Sequence, residues 1–190
     1  MSDFNDMDVF VPACSRAIEH FVRLSDGRAF ILFTSAKMMK RVADLAGPGL
    51  QHAGYATLIQ GAGTPRGLML DQFRKNPESV LFGLDSFWSG VDVRGSALSN
   101  VIITRFPFAV PDQPVVRARM DRIREQGGNP FRDYSLPEAI LRFRQGVGRL
   151  IRTATDEGIV VILDGRVRTK PYGRLFLQAL PTCPVEVVDV

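Results

Sequence analysis

A chain of 190 residues and 21.1 kDa is long enough for one domain with a core that needs neither disulfides nor metals. With 45% hydrophobic and 23% charged residues, disordered and fibrous classes are excluded. The net charge of +4 comes from 24 basic residues, of which 20 are arginine and 4 lysine. No window approaches about eighteen uninterrupted apolar residues, and no charged, apolar, small-residue leader follows Met1. A chain without membrane span or secretory signal is therefore expected. Cys14, Cys183, His20 and His52 are too few for a convincing structural zinc or iron–sulfur site, so a reducing, cytoplasmic setting is expected. At this length, any activity that needs two full-sized α/β lobes is incomplete.

In chain order, a short apolar strand at Val9–Val11 is followed by a helix over 14–24. A second strand, Phe30–Thr34, leads to a helix over 36–46. Thr57–Gln60 is a strand, then Gly61-Ala62-Gly63-Thr64-Pro65 forms a loop into a helix over 66–75. Val80–Leu84 and Val101–Thr104 are strands separated by a Ser-, Gly- and Asp-rich segment. A helix over 112–126 ends at Gly127-Gly128-Asn129-Pro130, which punctuates an irregular stretch over 127–136. The longest helix runs over 137–153, with Pro137 in its first turn. A strand at Ile159–Leu163, a helix over 170–179 and a strand at Val185–Val188 complete the chain. Most of these strands are continuously apolar, as strands covered on both faces of a parallel sheet are. The alternation implies right-handed βαβ units and a doubly wound α/β layer.

Ligands of such sheets sit at the carboxyl ends of the strands. There the sequence places Thr34-Ser35, Gln60-Gly61, Asp85 through Gly95, Arg105-Phe106-Pro107 and Asp164-Gly165-Arg166. Charge is also unevenly placed. Residues 1–104 are balanced, whereas 105–174 carry 14 basic and 8 acidic side chains. Arginine's planar fork of donors matches phosphate, so this half suggests a phosphate-bearing partner as well as an ordinary solvated surface.

Several chemistries are missing. There is no G-x-x-x-x-G-K-[ST] loop and no Gly-Lys pair. There is also no Gly-x-Ser-x-Gly elbow, and the two histidines lie in unremarkable sequence, so triad hydrolysis has no footing. The strongest positive signal is Gln145-Gly146-Val147-Gly148-Arg149-Leu150-Ile151-Arg152. At roughly 100° per residue, Ile140, Phe143, Val147 and Leu150 share one stripe, and Arg142, Gln145, Arg149 and Arg152 share another, roughly 160° away. Gly146 and Gly148 would each cost a helix about 1 kcal/mol relative to alanine, which implies close approach by another backbone or a ligand. The second signal is Ser86-Phe87-Trp88-Ser89-Gly90-Val91-Asp92-Val93-Arg94-Gly95, directly after the strand Val80–Leu84 and containing the only tryptophan. Asp92 suits orienting a water, binding an arginine or contacting a ribose hydroxyl, and equally suits a helix cap or turn.

Together these segments resemble the second, C-terminal motor lobe of superfamily 2 DNA helicases of the DinG/XPD-like branch. Phe30 through Ser35 resembles helicase motif IV, Ser86 through Gly95 motif V, and Gln145 through Arg152 motif VI. The linking pieces are similar too: Arg105-Phe106-Pro107-Phe108 with Pro111, Asn129-Pro130-Phe131, Leu136-Pro137 with Ala139, Asp164-x-Arg166, and Tyr172-Gly173. The resemblance covers about 28–181, within a single lobe spanning 1–190. It implies a RecA-like, three-layer α/β fold, with a mostly parallel sheet between helices and without the phosphate loop.

It also implies an ATP-dependent DNA helicase, in which a first RecA-like lobe holds most of the ATP and magnesium and this chain binds no metal. On that basis Arg149 and Arg152 are the arginine fingers; Gln145, Gly148, Gly90 and Asp92 belong to the ATP cleft; and Thr34, Ser35 and Arg105 contact single-stranded DNA. Motif V departs from the family pattern, with Ser89 where many members have an acid and Arg94 where they have proline. The chain also opens where a second lobe would open, with Asp8 through Pro12 as its expected first strand. The alternative is a stand-alone nucleic-acid- or nucleotide-binding module derived from such a lobe.

Overall fold

The computed structural model describes residues 6–88, 98–148, 150 and 157–189. Five short strands form one wholly parallel sheet: β1 (Ala29–Leu32), β2 (Ala56–Ile59), β3 (Ser79–Gly83), β4 (Asn100–Ile103) and β5 (Ile159–Ile162), in spatial order β2-β3-β1-β4-β5. Central β1 pairs Ala29 with Val80 on one side and with Asn100 on the other. Each strand matches an apolar run of the sequence. With no exposed face, β1, β3 and β4 are buried at every position.

Strand parity divides the core in two. Ala29, Ile31, Val80, Phe82 and Ile102 face α1 (Met7–Leu24) and α2 (Ala36–His52). Phe30, Leu32, Leu81, Val101 and Ile103 face α3 (Arg66–Lys75), the one-turn α4 (Asp85–Trp88), α6 (Leu136–Val147) and α8 (Gly173–Gln178). Helices therefore cover both faces, giving the three-layer α/β architecture expected from the sequence.

Several boundaries differ from the sequence reading. Val9–Val11 is helix, not strand: α1 begins at Met7, where the Asp6 carboxylate caps the Asp8 N–H at 2.9 Å. The local Val-Phe-Val run is overridden by a longer helical stripe, Phe10, Cys14, Ile18 and Val22, that buries against the sheet. Pro12 forfeits only one bond of an eighteen-residue helix. Val185–Val188 forms no strand, and its valines are exposed. The helix expected over 170–179 is two pieces, α7 (Arg166–Thr169) and α8, while α2 runs on to His52.

Between β4 and β5, α5 (Pro114–Glu125) is largely solvent-facing, with Val116 its buried residue. It leads through a π-helical turn, Phe131–Ser135, into α6. Helix α6 stops at Val147, with Gly148 as its C-cap, and residues 149 and 151–153 of the expected span lie outside the described residues. Among the described residues, no helix is long and apolar enough to cross a membrane.

Candidate nucleotide and nucleic-acid interface

Three segments converge at the carboxyl edge of the sheet. The first leaves β1. Ser35 caps α2 by accepting the Met38 N–H at 3.4 Å, which leaves its hydroxyl proton available as a donor. Thr34, just before it, is half-buried and Ser35 is exposed.

The second segment leaves β3. Gln60, at the end of β2, accepts the Leu84 N–H at 2.7 Å and donates to the Ser86 hydroxyl at 2.9 Å. Phe87 folds back on β3, and a methyl on Gly83 would lie 2.7 Å from its Cβ, so glycine is required there. Helix α4 ends at Trp88, whose indole N–H donates to the Phe33 carbonyl at 3.1 Å. Gly90 and Asp92 follow and lie outside the described residues.

The third segment is the end of α6. Phe143 and Val147 of the expected apolar stripe are buried, as is Leu150, and Ile140 is half-buried. On the other stripe, Gln145 is exposed and Arg142 half-buried, while Arg149 and Arg152 lie outside the described residues. The two glycines have different causes. A methyl on Gly146 would come within 2.9 Å of the Trp88 ring and 3.1 Å of Leu32, so the close approach comes from the protein's own core. Gly148 is exposed, terminates the helix and carries no mid-helix cost. An open groove of about 680 Å³ between α6 and α8 runs past Gly148, with Arg144 and Gln178 among its polar lining residues.

A second polar centre joins the ends of β4 and β5. Asp164 is 2% exposed. It accepts the Phe106 N–H at 2.7 Å and takes both Nε and Nη2 of Arg166, the latter at 2.6 Å. These bonds, chiefly that from Asp164, hold the Arg166 guanidinium above its ordinary pKa, assisted by Tyr172. Its planar group also lies over Phe106 and Phe108, at 5.7 and 5.2 Å from their centroids. Arg166 is thereby a structural cation that braces two loops. The Asp164-x-Arg166 spacing was visible in the sequence, but the backbone bond to Phe106 was not.

The Arg105 guanidinium sits 4.8 Å from the Phe10 ring centroid, against α1. The signal missed in the sequence is the partner of Trp88, because a lone large aromatic one turn after a buried strand does not show by itself that it meets Phe33 and Gly146.

Comparison with known proteins identifies the family. A model described as the helicase C-terminal domain matches residues 18–183. The chain belongs to the helicase C-terminal domain family. Over 160 residues, or 84% of this chain, it is 46% identical to the ATP-dependent DNA helicase YoaA of Haemophilus influenzae, covering 24% of that protein. Over 183 residues, or 95% of the chain, it is 42% identical to the 3'-5' exonuclease DinG of Bacillus subtilis, covering 20% of it. This helicase C-terminal domain chain therefore spans about a fifth to a quarter of those relatives. In structure it resembles XPD in its apo form, with a TM-score of 0.71 at 17% identity, covering 94% of this chain and 36% of the other. That likeness speaks for the fold.

Proposed function

We propose that this chain, a single lobe through 1–190 with its core over about 28–181, is the second motor lobe of an ATP-dependent DNA helicase. The observation that carries the reading is the meeting of three segments, 33–35, 86–88 and 145–148, at one edge of a parallel sheet that has no phosphate loop of its own. Membership of the helicase C-terminal domain family supports it.

Such a lobe works opposite another. The first RecA-like lobe holds ATP and magnesium. Arg149 and Arg152, just past the end of α6, reach across the cleft as cations for the charge that develops on the transferred phosphoryl group. In related nucleotidases such arginines are worth on the order of 10³–10⁵ in rate. Gln145 and Gly148 border the nucleotide from α6, and Gly90 and Asp92 do so from the segment after α4. Thr34 and Ser35 donate to the backbone of single-stranded DNA, assisted by Arg105 and other arginines of the basic half. Ser35 supports this role because its oxygen is already engaged as a cap, leaving the proton to a phosphate acceptor.

The test is reconstitution. Alone, the chain should show negligible ATP hydrolysis with single-stranded DNA. Joined to a matching first lobe, it should gain turnover that Arg149→Ala and Arg152→Ala each reduce by about 10³-fold or more. Turnover that survives both substitutions overturns the finger assignment. Binding of single-stranded DNA that weakens with salt, unaccompanied by hydrolysis in the joined form, selects the stand-alone binding module instead.

A further inference from the structure

Trp88 joins all three segments. Strand β1 ends at Leu32, so the Phe33 carbonyl lies past the ladder, and the indole N–H is the donor that satisfies it at 3.1 Å. The six-membered ring of the same indole packs on Gly146, with Cε3 within 2.9 Å and Cζ3 within 3.1 Å of where a methyl would stand. Trp88 is 3% exposed, so the indole is enclosed by the core on which it packs. Gln60 fixes the start of α4 through Leu84 and Ser86. The rotation of α4 is therefore set at one end by an amide and at the other by an indole.

We propose that Trp88 is a positioning residue that couples the DNA-contacting edge at Thr34–Ser35 to the end of α6 at Gly146–Gly148. The proposal rests on the motor-lobe reading. Its physical basis is that close-packed interiors pass on small displacements instead of absorbing them. A strand that shifts the Phe33–Ser35 backbone moves the acceptor of the indole N–H. The ring then turns against Gly146, two residues before the helix cap at Gly148, and displaces the last turn of α6. Gly146 is glycine so that this contact can be direct. A rigid ring read by hydrogen bond on one side and by packing on the other transmits more than a flexible side chain would.

Two experiments test this. Because Trp88 is the only tryptophan in the chain, its emission reports the junction without a label. Dye-labelled single-stranded DNA is titrated into the 190-residue chain, with anisotropy followed alongside tryptophan emission. The expected result is an emission change that saturates together with the anisotropy. Binding with unchanged emission overturns the coupling and leaves the motor-lobe reading intact. Absence of binding at low salt removes the DNA-contact reading and the proposal with it.

The second experiment compares Trp88→Phe, Gly146→Ala and the double variant, each joined to the first lobe. The smaller ring vacates the space that the Gly146 methyl needs, so the double variant should recover thermal stability relative to the single ones. It still lacks the indole N–H. The ratio of DNA-stimulated to DNA-free hydrolysis should therefore stay at least about fivefold below that of the parent in both Trp88→Phe proteins. If the ratio returns together with stability, Trp88 is packing alone and the proposal fails.

Discussion

The two faces of the sheet differ in kind. The α1–α2 face is closed chiefly by aliphatic side chains, with Ile18, Val22, Val42 and Leu50 meeting Ile31, Val80 and Ile102. The opposite face is richer in aromatic rings: Phe30, Phe73, Phe87, Trp88, Phe106, Phe143 and Phe176 lie in one cluster, against Phe10, Phe33 and Phe82 on the first face. Phe106 and Phe176 stack there at 3.7 Å between centroids, with Phe143 edge-on to both. Gln145, Gly148 and the α4 junction belong to this second face. Flat rings with fixed orientation suit a face that must hold loops in register, whereas interchangeable aliphatic groups suit one that has only to exclude water.

The largest effects that can break this contrast come from cutting one large side chain on each face. Phe143→Ala should cost about 3–5 kcal/mol of stability and Ile18→Ala about 2–5, both read by denaturant unfolding. At a temperature where both proteins remain folded, the Phe143 variant joined to a first lobe should lose hydrolysis while the Ile18 variant keeps it. Equal losses would show that the faces share the work.

A smaller effect is expected at the second polar centre. Asp164→Asn weakens the charge-assisted bonds to Arg166, and because the arginine side chain is 31% exposed, solvent recovers part of the loss. A stability decrease of about 1–3 kcal/mol is expected, screened little by salt because the carboxylate itself is buried. A change below the error of the measurement would assign the loop bracing to the Phe106–Phe176 rings alone.

The smallest effect concerns the aliphatic face. Cys14 is buried there, and burial pushes its thiol from 9.0 up to about 12, against a smaller opposing pull from Arg105. Between those two values the unfolded chain ionises this thiol while the folded chain keeps it protonated. This group's contribution to stability is therefore complete below pH 9 and declines as pH rises toward 12. Iodoacetamide at pH 8 should label only the exposed Cys183 in the folded protein, and both thiols after denaturation, as counted by mass. Rapid labelling of Cys14 in the folded state would mean that α1 opens readily.

Strands were legible in the sequence wherever burial on both faces left continuous apolar runs, as at Phe30, Val80 and Val101. The reading failed where a local run competed with a longer period. Val9-Phe10-Val11 looks extended over three residues, but over eighteen its spacing is helical. Val185–Val188 has the composition of a strand yet gains no pairing partner among the described residues, and composition cannot report a missing neighbour. At the site, Thr34, Ser35 and Gln145 lie where their positions after a strand and on a helix face placed them. The reason for Gly146 was not legible, because the ring that requires it comes from 58 positions earlier in the chain. Side-chain pairing across such separations is fixed by topology, which periodicity does not encode.

The strand order has a consequence for the time course of folding. Central β1 is the first strand in the chain, yet Ala29 must wait for Val80 on one side and for Asn100 on the other. Parallel pairing allows no hairpin to start it, and each crossover has to close before the central strand gains a partner. Until then a fully apolar segment lies open beside α1 and α2, which are made early and can shelter only one of its faces. Folding of this lobe is thus expected to be slow and concentration-sensitive, with the aromatic side the last to be covered.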